Sequence, residues 1–219
     1  MPDKIHVAIL DDHQSILDGY KYRLGQIEEI EVVATARTSQ DLEPMLTKYN
    51  PDVLLMDVNV PVSPDTPAPF PILNVIPQLL QKHPSLVILV ISMHTERTLI
   101  KAVMDMGGSG YVLKDDRAAI QNLGSIILSV AHGGIFFSQK IKEQLLSSQD
   151  EAMLLTARQL EVLSLFAADP ELTSAAVALD LNISNSTVRN LLSGAYLRLG
   201  VHNRAAAIAK AQHLNLLSS

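Results

Sequence analysis

The feature that most constrains this chain is a series of five apolar runs: IHVAILDD (5–12), EVVATAR (31–37), DVLLMDV (52–58), LVILVIS (86–92) and GYVLK (110–114). Longer segments with helical periodicity separate them, near 15–26, 40–49, 72–83 and 96–106, with a fifth after Asp116. Strands that are apolar throughout belong to a sheet covered on both faces, whereas a sheet with one wet face alternates apolar with polar residues. The expected fold class is therefore α/β, a doubly wound five-stranded parallel sheet. Such a sheet binds ligands at the carboxyl ends of its strands, where the strand order reverses.

From about residue 116 the pattern is wholly helical. AAIQNLGSIILSV reads as a helix, HGGIFF as a break, and SQKIKEQLLSSQDEAM as a short helix running into a polar, linker-like stretch. Three further helical patterns follow, TARQLEVLSLFAA, TSAAVALDL and NSTVRNLLSGAYLRL, and a fourth at NRAAAIAKAQHL. The tight ALDLNIS break between the second and third is what a helix-turn-helix requires. The expected organisation is an α/β domain over 1–130, a linker over 131–150 and a small all-α helix-turn-helix domain over 151–219. No run approaches the roughly 18 apolar residues of a membrane span. Two carboxylates interrupt the amino-terminal run where a signal peptide would place its apolar core, so a cytoplasmic location and no membrane partner are expected. The absence of cysteine removes disulfides, thiolate metal sites and cysteine nucleophiles. Residues 1–149 hold 12 Lys and Arg against 17 Asp and Glu, a net −5, and residues 150–219 hold 5 against 6, a net −1. Neither half has the strongly basic surface typical of a nucleic-acid binder.

Unusual polar residues gather at one edge of the predicted sheet. Asp11 and Asp12 end the first strand and Asp57 the third, and in a flavodoxin-like order of 2-1-3-4-5 these strands flank the reversal point. Like charges about 4 Å apart repel by roughly 4 kcal/mol at an effective dielectric near 20, so a cation must compensate them. Mg²⁺ suits a site of few protein oxygens because it dehydrates reluctantly. Ser92 ends the fourth strand and Lys114 the fifth, adding a hydroxyl and an ammonium. This constellation fits phosphoryl transfer onto an aspartate, with the carboxylate as nucleophile and its surroundings stabilising charge.

The order DD, then D, then S, then GYVLK resembles the receiver domain of two-component response regulators over roughly residues 4–130. The resemblance implies that Asp57 is the phospho-acceptor, that Asp12, Asp57 and the backbone carbonyl of Asn59 bind Mg²⁺ with Asp11 acting through water, and that Ser92 and Lys114 contact the phosphoryl group. Tyr111 would be the aromatic switch residue that reorients with Ser92. The sequence departs from the family's short loop after the acceptor: it keeps Pro61 but has Val60 and continues through SPDTPAPFP, with prolines at 61, 64, 67, 69 and 71. Proline lacks the N–H that a sheet or helix needs, so irregular backbone is expected from Pro61 onward, serving either as a tolerated surface insertion or to restrict access to Asp57 or recognise a particular partner. His94, two residues past Ser92, is either a loop histidine or an influence on hydrolysis of the acyl phosphate.

The carboxyl-terminal pattern, LTARQLEVLSLFAA followed by ISNSTVRNLLSGAYLRLGVHNRAAAIAKA, resembles the LuxR-type DNA-binding domain of the NarL/FixJ response regulators over about residues 154–212. Ser184 is placed to cap a helix whose Val188, Leu192, Ala195 and Leu199 form an inward stripe. Thr187, Arg189, Asn190 and Ser193 are then expected to point outward as a surface that reads a major groove. Several family positions differ. Ser174, Ala175 and Ala176 replace the usual Asn-Lys-Glu, Leu191 replaces a histidine, Leu197 stands at an often basic position, and Gly194 interrupts the helix at a cost of about 1 kcal/mol relative to alanine. Fewer phosphate contacts imply weaker DNA binding or greater dependence on dimerisation, and the two leucines offer an apolar patch for a protein partner.

The reading is a response regulator that a histidine kinase phosphorylates on Asp57 and that binds duplex DNA as a homodimer. The alternatives are a receiver-like adaptor with a heteromeric protein partner, and a haloacid-dehalogenase-like phosphatase. Position 59 disfavours the latter, being Asn where a second Asp is needed.

Overall fold

The computed structural model describes residues 4–69, 71–146, 155–183 and 185–217. Its first domain contains β1 (Ile5–Leu10), α1 (Gln14–Leu24), β2 (Ile30–Ala36), a 3₁₀ turn (Ser39–Asp41), α2 (Leu42–Tyr49) and β3 (Val53–Met56). It continues through β4 (Pro61–Ser63), β5 (Thr66–Pro69), α3 (Ile72–Lys82), β6 (Val87–Ser92), α4 (Arg97–Asp105), β7 (Gly110–Leu113), α5 (Arg117–Gln121) and α6 (Leu123–Ala131). All five predicted strands form, in the order β2-β1-β3-β6-β7, and every pairing is parallel. The order reverses between β1 and β3, as expected.

The pleat explains why these strands are apolar throughout. Successive side chains face opposite sides of a strand. Val7, Ile9, Leu55 and Leu89 accordingly pack with α1 and α6 residues such as Leu17, Leu24, Ile127 and Val130. Ala8, Leu10, Leu54, Met56 and Val90 pack on the other face with Leu46 of α2, Ile76 of α3 and Val103 of α4.

Two features correct the sequence expectation. The HGGIFF segment is not only a break: Phe136–Phe137 form β8, a sixth strand paired parallel to β7 through Gly110↔Phe136 and Tyr111↔Phe137. Its two residues are too few to display a period. Beyond it, Ser138 donates its N–H to the Tyr111 carbonyl at 3.1 Å, and its buried Oγ accepts from the Leu113 N–H at 2.9 Å. Segment 131–146 is therefore laid along the sheet, ending in α7 (Gln139–Leu146). The linker-like stretch beyond residue 146 lies outside the described residues up to 154.

The second correction is the proline loop. Its backbone is an antiparallel hairpin, with Pro61 opposite Pro69 and Ser63 opposite Thr66, a register shift between these two pairs, and a turn through Pro64 and Asp65. A strand tolerates proline where its missing N–H would face away from the partner, and an isolated two-stranded ribbon has such an outer edge on both strands.

The second domain consists of α8 (Ala157–Ala168), α9 (Ser174–Asp180), α10 (Asn185–Leu199) and α11 (Arg204–His213). A reciprocal capping box starts α8: Thr156 Oγ1 accepts from the Gln159 N–H, and Gln159 Oε1 accepts from the Thr156 N–H. The predicted stripe of α10 is buried at Val188, Leu192, Ala195 and Leu199, joined by Tyr196. Gly194 has a packing reason, since a Cβ there would stand 2.6 Å from Gln159 Nε2. Ser184, the expected cap of α10, lies outside the described residues.

Candidate functional site

Backbone hydrogen bonds just beyond the strand ends place the polar residues. The Asp11 N–H donates to the Ala36 carbonyl at 3.2 Å, the Asp57 N–H to Leu10 at 2.9 Å, and the Lys114 N–H to Ser92 at 2.9 Å. Each functional residue thus occupies the next rung past an apolar strand, and its side chain enters the crevice between β1 and β3. Asp11 and Asp57 are 2% and 5% exposed.

Lys114 Nζ lies 2.7 Å from both Asp11 Oδ2 and Asp57 Oδ2. Burial opposes the ammonium's charge, but the hydrogen bonds to Asp11 and Asp57 outweigh it and hold its pKa above the ordinary lysine value. His13, not anticipated from spacing, joins the acidic pair. Its Nδ1 is 2.7 Å from Asp12 Oδ1, and its N–H donates to Asp11 Oδ1 at 3.0 Å. Asp12 Oδ1 is nonetheless buried without a hydrogen bond. Asp11, Asp12 and His13 each offer one donor atom within 4.8 Å of the others, and the carboxylate oxygens among them are the donor type that a hard divalent cation such as Mg²⁺ takes.

The rim of the crevice is built by two loops. Asn59, whose N–H donates to Asp57 Oδ1 at 3.3 Å, presents its side-chain amide 2.9 Å from His94 Nε2. His94 Nδ1 lies 3.2 Å from Glu96 Oε2, and the His94 N–H donates to Ser92 Oγ at 3.1 Å. Hydrogen bonds from its own backbone N–H, and then from His94, hold the Glu96 carboxyl below the usual carboxylate range. Tyr111 is fully buried and donates its hydroxyl to the His94 carbonyl at 3.1 Å; burial pushes its pKa up to about 12. The structure therefore brings Asp11, Asp12, Asp57, Asn59, Ser92, Tyr111 and Lys114 to one edge, with His13 and His94 added.

The residues expected to read DNA occupy a different environment from the one predicted. Thr187, Arg189, Asn190 and Ser193 do not face solvent as a free surface. Arg189 donates to the Leu86 carbonyl at 2.8 Å and to Ser85 at 3.1 Å, both just before β6. Asn190 Oδ1 is buried without a hydrogen bond against Gly107, where an added Cβ would come within 2.4 Å of it. Ser193 is 5% exposed and lines a cavity of about 430 Å³ between the domains with Arg189, Ser109 and Gly134. Thr187 borders a second cleft with Pro77 and Met106. Helical periodicity correctly separates these residues from the inward stripe, but it carries no information about which surface then covers them. Leu191 and Leu197 are half-buried against the core, so they do not make the apolar patch considered from sequence.

Comparison with known proteins identifies both halves. Residues 7–123 match the response regulator receiver domain, and residues 153–211 match the bacterial regulatory proteins of the luxR family. The chain is 30% identical over 230 residues to the transcriptional regulatory protein DegU of Brevibacillus brevis, spanning 95% of this chain and 93% of that one. It is 29% identical over 220 residues to RcsB of Escherichia coli, covering 99% and 95%. Among solved structures, RcsB of Salmonella enterica serovar Typhimurium, bound to a promoter in the presence of the phosphomimetic BeF₃⁻, aligns with a TM-score of 0.57 at 27% identity, covering 97% of this chain and all of that one. With a receiver fold followed by a LuxR-type helix-turn-helix, the chain belongs to the NarL/FixJ family of response regulators.

Proposed function

We propose that this chain is a DNA-binding transcriptional regulator gated by phosphorylation of Asp57. The observation that carries the reading is Lys114 Nζ, 2.7 Å from both Asp57 and Asp11 in a buried crevice. There an ammonium is already aimed at the position a phosphoryl oxygen would take. The Asp57 carboxylate attacks the phosphorus of a phosphohistidine on a histidine kinase; the P–N bond breaks as the P–O bond forms. Asp12, Asp57 and the Asn59 carbonyl, with Asp11 through water, would hold Mg²⁺, which supplies positive charge to the phosphoryl oxygens. Lys114 then exchanges a carboxylate for a phosphoryl oxygen, and Ser92 Oγ turns from the His94 N–H toward the same group. Hydrolysis of the acyl phosphate returns Asp57 to its starting state; phosphoryl transfer to Asp57 and hydrolysis from it are the reactions the reading requires, and no other enzyme activity is called for.

The second half of the reading concerns Arg189 and Asn190. While Arg189 bonds the Ser85 and Leu86 carbonyls, its guanidinium fork is turned onto the first domain and not toward a base edge or phosphate. DNA binding, with Thr187, Arg189, Asn190 and Ser193 as reading residues, therefore needs α10 to leave the first domain. A phosphoryl group adds about −1.5 to −2 charge and so provides the bias. Homodimerisation on a two-fold symmetric site would compensate for the few basic residues of the helical domain. A cytoplasmic location follows from this role.

The test is selection of binding sites from a random duplex DNA pool, with and without Mg²⁺ and a small phosphodonor. A two-fold symmetric site should emerge, strengthened by the donor and lost in Arg189→Ala, with the donor effect absent in Asp57→Asn. Enrichment that ignores both donor and Asp57→Asn would refute phosphorylation control. No enrichment in any condition would refute DNA binding.

A further inference from the structure

Two parts of the receiver that must communicate, the acceptor edge and the face that holds α10, are joined by α4. Its amino end follows Glu96, and beyond its carboxyl end lies Gly107, against which Asn190 packs. At about 1.5 Å per residue, the nine residues of α4 form a rod roughly 13 Å long between them. α4 also packs directly on α10. A displacement at the Glu96 end is thus delivered to the surface where the reading helix is docked.

One side chain ties the Glu96 end to the acceptor loop. His94 bridges the amide of Asn59, two residues after Asp57, and the carboxylate of Glu96, the residue that opens α4. With Nδ1 donating to Glu96, Nε2 is left to accept from Asn59 Nδ2, so one tautomer satisfies both contacts. The backbone of His94 is held as well: its N–H is bound to Ser92 Oγ and its carbonyl receives the Tyr111 hydroxyl. On the reading of Asp57 as phospho-acceptor, Ser92 is the hydroxyl that turns to the phosphoryl group and Tyr111 the aromatic residue that reorients with it. His94 is therefore the point where the acceptor loop, the hydroxyl, the aromatic switch and the start of α4 converge.

We propose that His94 is a positioning residue, a strut through Asn59 and Glu96 that transmits the state of Asp57 to α4 and so to the docked α10. The proposal rests on the reading of Asp57 as phospho-acceptor. In the unphosphorylated protein the strut holds α4 where Gly107 and the Ser85–Leu86 carbonyls receive α10. When Ser92 turns to the phosphoryl group, His94 loses its backbone anchor, and its two side-chain contacts carry the movement to Glu96. Sequence pattern alone singled out His94 only by its distance from Ser92; its contact with Asn59 spans 35 residues.

The absence of native cysteine permits a clean test. Tyr22→Cys and Leu179→Cys, at positions 76% and 84% exposed in the two domains, accept a pair of spin labels whose separation reports domain opening. Phosphoryl occupancy of Asp57 is read separately by intact mass after treatment with Mg²⁺ and a small phosphodonor. In the labelled parent the donor should convert a closed population to an open one. In His94→Ala, at equal phosphoryl occupancy, that change in the open-to-closed ratio should fall by about tenfold. Glu96→Ala, which leaves the Asn59 contact, should lose part of the response, and the double variant should be no worse than His94→Ala alone. A merely stabilising role for His94 would make the two losses add.

Full opening of His94→Ala at parental occupancy would overturn the strut and leave the acceptor reading intact. A folded His94→Ala that takes up no phosphate would place His94 in the transfer chemistry and overturn the coupling role. No phosphate uptake by the parent would remove the acceptor reading and the strut together.

Discussion

The carboxylate edge and the reading helix are both polar surfaces singled out by sequence, yet they meet opposite fates. At the edge, each charge finds its partner inside its own domain, with Lys114 placed between Asp11 and Asp57. On α10, Arg189 finds its partners 103 and 104 residues away in the other domain. The first site is assembled by the sheet, because residues at adjacent strand ends have nowhere else to go. The second is covered by a docking event between an α/β unit and an all-helical unit. A site made by topology is ready for chemistry, whereas a site covered by docking is available only when the dock opens.

The largest effect that would sharpen this comparison comes from Lys114→Met. Removing one member of a buried charge pair costs about 3–5 kcal/mol, because the remaining charge is left uncompensated. Urea unfolding should show a loss in that range, with a substantial part restored by Mg²⁺ at the same carboxylates. A loss below 1 kcal/mol would mean that Lys114 is not what holds the edge together. The pH dependence has a definite sign. Since the folded protein holds the Lys114 ammonium above its ordinary value near 10.4, its stabilisation is complete below that pH and is lost as pH rises through the higher folded value. The stability gap between wild type and Lys114→Met should therefore narrow only in strongly alkaline solution.

Gly107→Ala attacks the dock from the receiver side. The glycine has φ +111°, and a Cβ would stand 2.4 Å from both Asn190 Oδ1 and Leu80 Cδ1. Overpacking of this kind costs about 1–3 kcal/mol, part of which α10 can relieve by leaving. DNA binding without a phosphodonor should rise in this variant, measured by fluorescence anisotropy on a selected site. An unchanged affinity would show that the contact does not limit DNA access.

Arg189→Ala attacks the same dock from the other side. Hydrogen bonds to a charged group contribute about 1.5–3 kcal/mol each, but here the guanidinium is taken from water as well, so the net loosening should be about 1–2 kcal/mol. Faster amide hydrogen exchange along α4 and α10 should report it. Unlike Gly107→Ala, this variant should open the domains without gaining DNA affinity, because the reading residue is gone.

The smallest effect is expected at Gly194→Ala. Alanine improves helix propensity by about 1 kcal/mol, but its Cβ displaces Gln159 from the capping box with Thr156, a loss of about the same size. Thermal unfolding should place the variant within about 1 kcal/mol of wild type. A clear stabilisation would mean that Gln159 moves without losing its cap.

Much of the fold was legible because burial on both faces writes itself into composition. The five main strands, the reversal between β1 and β3, and the polar residues at Asp11, Asp57, Ser92 and Lys114 follow from runs of Val, Ile and Leu ending in a charge or hydroxyl. β8 was not legible, since two phenylalanines after a glycine pair carry no period and pair only because β7 offers an open edge. The 61–69 hairpin was misread because proline argues against a ladder in general, though not on the outer side of a ribbon. His94 gained Asn59 by chain reversal, which residue spacing does not encode, whereas His13 pairs with its own chain neighbours Asp11 and Asp12.

By itself, the sequence determined which residues lie inside each unit, which carboxylates end which strands and which face of α10 turns away from its own bundle. Those are consequences of local period and of the hydrophobic effect acting within one domain. Only the tertiary structure decided that Arg189 and Asn190 meet Ser85, Leu86 and Gly107, and that His94 links Asn59 to the start of α4. Such contacts depend on two surfaces matching in shape and hydrogen-bonding capacity after each is folded, a relation between distant parts of the chain to which no local pattern responds.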